Sequence, residues 1–273
     1  MSLDKKDLRI LGALDINSRI PVTTIAKEVQ LSKESVRQRI HKLTAEHMFK
    51  KFTLMCNGSL LGYECYAIHY QYGHMSTTQE KKLLDQLLGQ PATIAVTQTE
   101  GEFDLFHLAF YPSKKIALRH ITGLLEQFGN HIINRIIDTV TSITRCPSEF
   151  LGLAKNRNYI TLDMEHEKSF TLDDLDKTIL EQLNTDSRTS LLSIAKEQKT
   201  TASKIRYRLK NLEERGIIAG YTTIFHLQRA NYLSVNISVL LQHPRAANVV
   251  QAYLMDNPNT LFIYHTLGSY DFI

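Results

Sequence analysis

The spacing of apolar residues near the start of the chain predicts three short helices followed by a strand. Over residues 4–14 apolar side chains recur every three or four positions and share one helical face, and Asp4 is a candidate cap at the start. A third helix follows the candidate cap Ser32, and the weak alternation of residues 49–56 is typical of a short strand or wing. Three helices in this order indicate a helix-turn-helix. The inward positions of the third helix are Val36, Ile40 and Leu43.

The same pattern recurs later, because residues 3–53 align without a gap to residues 172–222 at a constant offset of 169. Of the 51 aligned residues, 16 are identical, including the run Ile-Ala-Lys-Glu. Weaker similarity continues beyond the block, where Gly101-Glu102-Phe103-Asp104 matches Gly268-Ser269-Tyr270-Asp271. We therefore interpret the chain as a tandem of two related copies.

Between the two helical blocks, the pattern changes to strands mixed with helices. The predicted elements are a strand at 63–72, a helix at 76–88, strands at 92–99 and 103–111, a helix after Pro112 and a strand at 132–144. The order βαββαβ is that of a ferredoxin-like unit. Its own helices leave one sheet face uncovered, so we expect that face to pair with another sheet.

The predicted fold class is α+β, with winged helix-turn-helix domains that alternate with ferredoxin-like βαββαβ domains. The second ferredoxin-like domain is expected to be incomplete, because the sequence stops two residues after Asp271, inside a predicted strand. The segment between the copies is polar and charged and is predicted to be a linker. The predicted boundaries are 1–58 and 172–228 for the helix-turn-helix domains, 59–148 and 229–273 for the ferredoxin-like domains, and 149–171 for the linker.

Composition excludes several classes of protein. The chain has 273 residues and a net charge of +4, and no run approaches the roughly 18 apolar residues that a membrane helix needs. It begins without a secretory signal, and its three cysteines have no Cys-x-x-Cys spacing, so we expect a reducing cytoplasm. No phosphate-binding glycine loop or metal-binding motif is present, and neither a cofactor nor a metal is expected.

The positive charge is concentrated in the first helical block, since residues 1–53 carry 11 basic and 6 acidic residues. Residues 54–148 carry 7 and 8, and residues 172–222 carry 9 and 8, although the third helix of the second copy is itself basic. Cations for phosphates and small or amide side chains for base edges are what a helix in the major groove of DNA requires. We expect the third helix of each copy to bind DNA. The candidates in the first copy are Lys33, Ser35, Arg37, Gln38, His41 and Lys42. Those in the second copy are Lys204, Arg206, Arg208 and Lys210.

An ordinary solvated helix face is the alternative explanation. The pair Arg37 and Arg39 recurs as Arg206 and Arg208 on the third helix of the second copy, which solvation alone explains poorly. Arg39 can also brace the helix or a phosphate rather than read a base. Because the two third helices differ in sequence, we expect one chain to bind an imperfect palindrome.

The residues of both units resemble a known family. The block LDKKDLRILGALDINSR with IAKEVQLSKESVRQRIHKL, and the segment LEERGIIAGYT at 212–222, resemble the winged helix-turn-helix of the Lrp/AsnC regulators. The βαββαβ unit with its Gly-x-aromatic-Asp turn resembles the regulatory domain of that family. The resemblance implies a non-enzymatic regulator of transcription that binds specific sequences of double-stranded DNA. It implies this contact through Ser32, Lys33, Ser35, Arg37 and Arg39.

The resemblance also implies a small-molecule effector, commonly an amino acid, and a homo-oligomer assembled through the regulatory sheets. The implied effector-binding residues are Thr99, Gly101, Asp104, Gly268 and Asp271. The sequence departs from the family pattern in three ways, because two units are fused, His47 replaces a glycine, and Glu100 and Glu102 make the first turn acidic. The acidic turn weighs against an anionic or zwitterionic effector.

Two other functions remain open from the sequence. Siroheme decarboxylases are similar to this family in fold and occur as paired or fused copies, and His69 and His107 are placed on predicted strands that can be adjacent. The simpler explanation of these histidines is that they pack on the sheet, and the chain has no tryptophan. The third possibility is a protein-interaction module that no longer binds DNA.

Overall fold

The computed structural model describes residues 3–148, 159–166 and 169–273. The chain begins with the helices α1 (Lys5–Ile16), α2 (Val22–Val29) and α3 (Lys33–Ala45) and the strand β1 (Phe49–Cys56). Both predicted caps are present, because the Asp4 carboxylate accepts the backbone N–H of Asp7 and the Ser32 hydroxyl accepts that of Ser35. The helical spacing and the caps therefore account for the first helical block.

A sheet with two helices on one face follows. Its elements are β2 (Glu64–Tyr72), α4 (Thr77–Leu88), β3 (Thr93–Gln98), β4 (Leu105–Tyr111), α5 (Lys114–Phe128) and β5 (Ile132–Arg145). The strands lie in the antiparallel order β3-β4-β2-β5, as the βαββαβ pattern predicts. Ile68, Tyr70 and Leu105 of the sheet are buried against Leu83 of α4 and Leu124 of α5, which forms the core.

The segment predicted as a linker contains a strand. Residues Ile160–Asp163 form β6, which pairs antiparallel with Ser142–Arg145 of β5. Leu162 is buried in the contact, and Ile160, two positions earlier on the same face of the strand, packs against the same cluster. A strand of four residues is too short for its alternation to stand out, which is why the sequence did not predict it. The parts of the predicted linker at 149–158 and 167–168 lie outside the described residues.

The second copy starts with α6 (Asp174–Thr185), α7 (Leu191–Glu197), α8 (Ala202–Glu214) and β7 (Ile218–Phe225). Its third helix stops at Gly216, which has a φ of +73°, and the equivalent His47 has a φ of +55°. The first copy therefore keeps the left-handed stop of the helix without a glycine.

The last part of the chain extends the sheet of the first copy. It contains α9 (Ala247–Asp256) and β8 (Phe262–Leu267), and β8 pairs antiparallel with β5. Tyr264, Tyr270 and Ile273 pack with Phe106 and Val140 on the face that α4 and α5 leave open. The sheet face opposite α4 and α5 therefore packs against residues of the second copy of the same chain.

Candidate nucleic-acid interface

The outer face of α3 presents most of the predicted DNA-binding side chains. Val36 and Leu43 are buried and Ile40 is partly buried, as the periodicity predicts, so the opposite side of the helix faces outward. Ser35 is half-buried, and its hydroxyl lies 2.8 Å from the Ser32 hydroxyl. The exposed candidates are Ser32, Lys33, Arg37, Gln38, His41 and Lys42.

Arg39 lies within the first helical block rather than on its outer face. Its guanidinium contacts the carboxylates of Asp4 and Asp7 at 2.7 Å each. The backbone N–H of Asp7 and the Arg39 guanidinium hold the pKa of Asp4 below its usual range. Arg39 therefore ties α3 to the start of α1, which corresponds to the bracing role considered from the sequence.

The second copy repeats this brace. Arg208 contacts the carboxylate of Asp173 at 2.7 Å and that of Asp176 at 3.4 Å. Both partners are the residues that match Asp4 and Asp7 at the offset of 169. We therefore interpret Arg39 and Arg208 as structural residues of the helix-turn-helix rather than readers of base edges.

The outer faces of the two third helices differ in charge and shape. Arg37 is 3.4 Å from the Glu34 carboxylate one turn away, whereas Arg206 has Ser203 at that position and no ion pair within the described chain. Tyr207 is 69% exposed at the position of Gln38. On the same helix, Lys204 is exposed and Lys210 lies 3.2 Å from Glu214. Both third helices therefore present exposed cations, and the ion pair that Arg37 makes has no counterpart at Arg206 among the described residues.

An approximate twofold axis relates the two helical blocks. Strands β1 and β7 form a two-stranded antiparallel sheet in which Thr53 pairs with Thr222, its own equivalent in the repeat. The hydroxyls of Ser18 and Ser187, which are also equivalent, lie 2.6 Å apart and are fully buried. Equivalent residues of the two copies meet at both places, so the twofold axis passes between Thr53 and Thr222 and between Ser18 and Ser187.

The arginines beside these serines make reciprocal contacts across the axis. Arg19 donates to the carbonyl oxygen of Ser187 and stacks on the ring of Tyr221, and Arg188 donates to the carbonyl oxygen of Ser18 at 2.6 Å and stacks on the ring of Phe52. Burial lowers the pKa of Arg188. Sequence reasoning did not assign a role to these residues, although Ser18 and Arg19 are among the identities of the repeat.

Each strand of the pair packs against the helices of the other copy. Phe225 of β7 is buried in the core of the first block, and Leu54 of β1 is buried in the core of the second block. Backbone hydrogen bonds also connect the two copies. The N–H of His226 donates to the carbonyl of Met48, and the N–H of Asn57 donates to the carbonyl of Ile217. The predicted wing is thus an exchanged strand that locks the two blocks together.

The residues predicted for an effector mainly close the two turns. In the first turn, the Thr99 hydroxyl donates to the Phe103 carbonyl at 2.7 Å, and the Asp104 carboxylate accepts the N–H of Tyr72 at 2.6 Å. Gly101 lies in open space with a φ of +147°. In the second turn, the Asp271 carboxylate accepts the N–H of Leu241 at 2.7 Å.

The second turn packs onto the sheet of the first copy. Gly268 lies directly against the Asp138 carboxylate, which accepts the N–H of Ser269 at 2.5 Å. A side chain at position 268 would collide with that carboxylate. The structure therefore places Gly268 in the contact between the two copies, and Gly101 at the surface.

The two histidines considered for a tetrapyrrole lie on opposite faces of the sheet. His69 pairs with Phe106 across β2 and β4, while His107 pairs with Ile68, so their side chains point to opposite sides. The His69 ring contacts Phe106 and Tyr270, and burial lowers its pKa. His107 is fully buried, and its Nε2 is 3.0 Å from the Thr93 hydroxyl. Adjacent strands are confirmed, but the histidines do not face one another.

The described ranges contain neither a group of three metal-binding side chains nor a helix long and apolar enough to cross a membrane.

The chain matches the model of the AsnC-type helix-turn-helix domain at residues 3–44 and that of a winged helix-turn-helix DNA-binding domain at residues 172–219. Both matches lie on the helical blocks that the twofold axis relates.

Curated relatives agree with these matches. Over 141 residues the chain is 31% identical to an uncharacterised HTH-type transcriptional regulator of Pyrococcus abyssi, in a match that covers 50% of this chain and 94% of that protein. It is 42% identical over 67 residues to the HTH-type transcriptional regulator LrpA of Pyrococcus horikoshii. That match covers 24% of this chain and 48% of LrpA. The fold and these relatives define the class of HTH-type transcriptional regulators. Within that class, the chain belongs to the Lrp/AsnC family and carries two helix-turn-helix domains.

The crystal structure of the siroheme decarboxylase NirDL has the same overall arrangement. It superposes with a TM-score of 0.62 over 98% of this chain and 80% of that one, at 15% sequence identity. This is a likeness of fold.

Proposed function

We propose that one chain of this regulator binds double-stranded DNA with both of its third helices. The approximate twofold axis at Thr53 and Thr222 carries the proposal, because it gives α3 and α8 equivalent positions on the two sides of one strand-exchanged unit. Helix-turn-helix regulators normally read two half-sites with two chains related by such an axis. Here the covalent link between the copies replaces the association of two chains.

The exposed side chains of the third helices supply the contacts. Arg37 and Arg206 lie at equivalent positions and reach phosphates or base edges, with Lys33 and Lys42 around the first and Lys204 and Lys210 around the second. Ser32, Gln38 and His41 complete the first face. Arg39 and Arg208 act indirectly, because they hold each third helix against the first helix of its own block.

Gel retardation of selected DNA at several salt concentrations tests this proposal. We expect Arg37→Gln and Arg206→Gln each to weaken binding and to reduce the slope of log affinity against log salt by about 0.9 for each lost phosphate contact. The matched control is Arg119→Gln, an equally charged change at an exposed position of α5. Absence of retardation at low salt by the unmodified chain would contradict the proposal and favour an interaction module.

We propose that the chain is not a siroheme decarboxylase. The proposal is supported by the placement of His69 and His107 on opposite sheet faces, where they cannot act on one tetrapyrrole together. Titration of siroheme into the full chain, followed by absorbance, is expected to leave the spectrum of the free tetrapyrrole unchanged. A shifted absorbance band that saturates at one siroheme per chain would overturn this.

An amino-acid effector at the first turn and assembly into homo-oligomers remain proposals from the family resemblance. The open surroundings of Gly101 leave space for an effector at the first turn. A thermal-shift screen of the amino acids tests the effector, with Gly101→Val as the variant expected to lose the response. Sedimentation equilibrium of the full chain measures its assembly.

A further inference from the structure

The two third helices differ most at one exposed position. Gln38 of α3 and Tyr207 of α8 are equivalent at the offset of 169, and both side chains are exposed. Neither makes a hydrogen bond within the described part of the chain. The Tyr207 ring is 69% exposed, so it contributes little to the core and is available for contact with a partner.

These two positions lie at the centre of the outward faces. Residues spaced at three, four and seven positions share one side of a helix, which groups 34, 37, 38 and 41 on α3 and 203, 206, 207 and 210 on α8. On both helices an arginine precedes the position, as Arg37 and as Arg206. The neighbours are Glu34 and His41 on α3, and Ser203 and Lys210 on α8. The arginines are thus common to both faces, whereas the residues at 38 and 207 distinguish them.

The chemistry of the two side chains favours different bases. The amide of a glutamine can donate to N7 or accept from N6 of adenine in the major groove, and it pairs best with that base when it makes both contacts. A tyrosine ring offers an apolar surface that suits the C5-methyl group of thymine, with a hydroxyl that can reach a phosphate. The two side chains therefore favour different bases at equivalent positions of the two half-sites.

We propose that Gln38 and Tyr207 are the residues that make the DNA site of this chain asymmetric. Gln38 selects adenine at one position of the half-site under α3, and Tyr207 selects thymine at the equivalent position under α8. The inference rests on the proposed DNA-binding function and specifies its site. Arg37 and Arg206 supply contacts that the two half-sites share.

Selection of bound sequences from randomised DNA tests the inference with the full chain and four variants. The unmodified chain is expected to select a site whose halves differ at one twofold-related position. Tyr207→Gln is expected to place adenine in both halves, with a change in the preference for adenine over thymine on the order of tenfold at that base. Gln38→Tyr is expected to place thymine in both halves. The double exchange, Gln38→Tyr with Tyr207→Gln, is expected to restore an asymmetric site.

A matched control separates these effects from the loss of an exposed aromatic ring. Tyr253 of α9 is 70% exposed and lies outside both helical blocks, and Tyr253→Gln is expected to leave the selected site unchanged. Circular dichroism of each variant checks that it is folded. A fully symmetric site for the unmodified chain, or an unaltered asymmetric site for Tyr207→Gln, would overturn the inference while DNA binding stands. Failure of the unmodified chain to enrich any sequence would instead overturn the proposed function.

Discussion

The hydroxyl oxygens of Ser18 and Ser187 lie 2.6 Å apart in a fully buried contact, although 169 positions separate them in the chain. The two serines are equivalent residues of the internal repeat, so the contact marks the place where one copy meets the other face to face. Arg19 and Arg188 surround it with reciprocal hydrogen bonds to backbone carbonyls. The contact thus has the symmetry of a homodimer interface within one polypeptide.

The serine contact is expected to stabilise the paired blocks measurably. Ser18→Ala leaves the buried Ser187 hydroxyl without its serine partner, and Ser187→Ala leaves the Ser18 hydroxyl with a long contact of 3.5 Å to the Thr53 carbonyl. Each change is expected to cost about 1 kcal/mol of the free energy of unfolding. In a double-mutant cycle the two changes are expected to be non-additive by about 0.5–1 kcal/mol, because each removes the same interaction. Denaturant unfolding measures all four proteins.

Ser203→Ala is the control for this cycle, because Ser203 is exposed on α8. It is expected to change the free energy of unfolding by less than 0.5 kcal/mol, the usual range for surface substitutions. Strict additivity of Ser18→Ala and Ser187→Ala would show that the two hydroxyls do not stabilise one another.

The exchange of strands predicts that the two helical blocks unfold together. Phe225 belongs to β7 of the second copy but is buried in the core of the first, where its ring centroid is 6.0 Å from that of Phe49. Phe225→Ala removes a large buried ring, and we expect a loss of about 3 kcal/mol. The loss is expected to appear as a lower midpoint of one transition that includes both blocks.

Leu118→Ala on the exposed side of α5 provides the comparison, since its side chain is 66% exposed and its loss leaves no cavity. Calorimetry together with hydrogen exchange of α1 and α6 reports each block separately. Two transitions, of which only one responds to Phe225→Ala, would contradict an interlocked unit.

The internal repeat allowed much of this fold to be predicted from the sequence. The helices of both blocks follow from apolar spacing and caps such as Asp4 and Ser32, and β2 to β5 begin and end within one or two residues of their predicted limits. These features are local, so each can be detected in a short stretch of sequence. The exchange of β1 and β7 could not be predicted, because the choice of a strand's partner depends on contacts distant in the chain.

The repeat also carried a signal for residues that stabilise each helical block. Asp4, Asp7 and Arg39 recur together as Asp173, Asp176 and Arg208, and in both copies the three side chains form one ion-pair cluster. Residues retained in both copies therefore include those that hold each block together. Gln38 and Tyr207 differ between the copies, as expected of residues that contact different bases.

A buried ion pair connects the first helical block to the sheet. The Arg145 guanidinium of β5 donates to the carboxylate of Asp15 at the end of α1, which also accepts the N–H of Ser148 at 2.8 Å. Burial raises the pKa of Asp15, and the positive charge of Arg145 opposes this. Asp15→Asn leaves the buried guanidinium uncompensated, so we expect a loss of about 3 kcal/mol in the free energy of unfolding.

The exposed pair of Lys210 and Glu214, 3.2 Å apart, serves as the reference for this prediction. Glu214→Gln is expected to cost less than about 1 kcal/mol, because solvent screens an exposed pair. A cost for Asp15→Asn that does not exceed the cost for Glu214→Gln would mean that the buried pair does not hold the block to the sheet.

The stability of the sheet is expected to fall as the solution becomes acidic, because of His107. This side chain is fully buried, and burial lowers its pKa to about 4. The unfolded chain takes up a proton at His107 near pH 6.5, whereas the folded chain does so only near pH 4. Between these values the unfolded state binds more protons, so the contribution of His107 to stability is complete above pH 6.5 and is lost as the pH falls through this window.

His107→Gln removes the titrating group and retains a partner for the Thr93 hydroxyl, which lies 3.0 Å from Nε2 of His107. The free energy of unfolding of this variant, measured between pH 4.5 and 7.5, is expected to depend less steeply on pH, by up to about 1.4 kcal/mol for each pH unit. His41→Gln, at an exposed position of α3, is expected to keep the slope of the unmodified chain. The burial of His69 also lowers its pKa, so a smaller slope remains in His107→Gln. Equal slopes for His107→Gln and the unmodified chain would show that His107 titrates alike in the folded and unfolded states, in conflict with its burial.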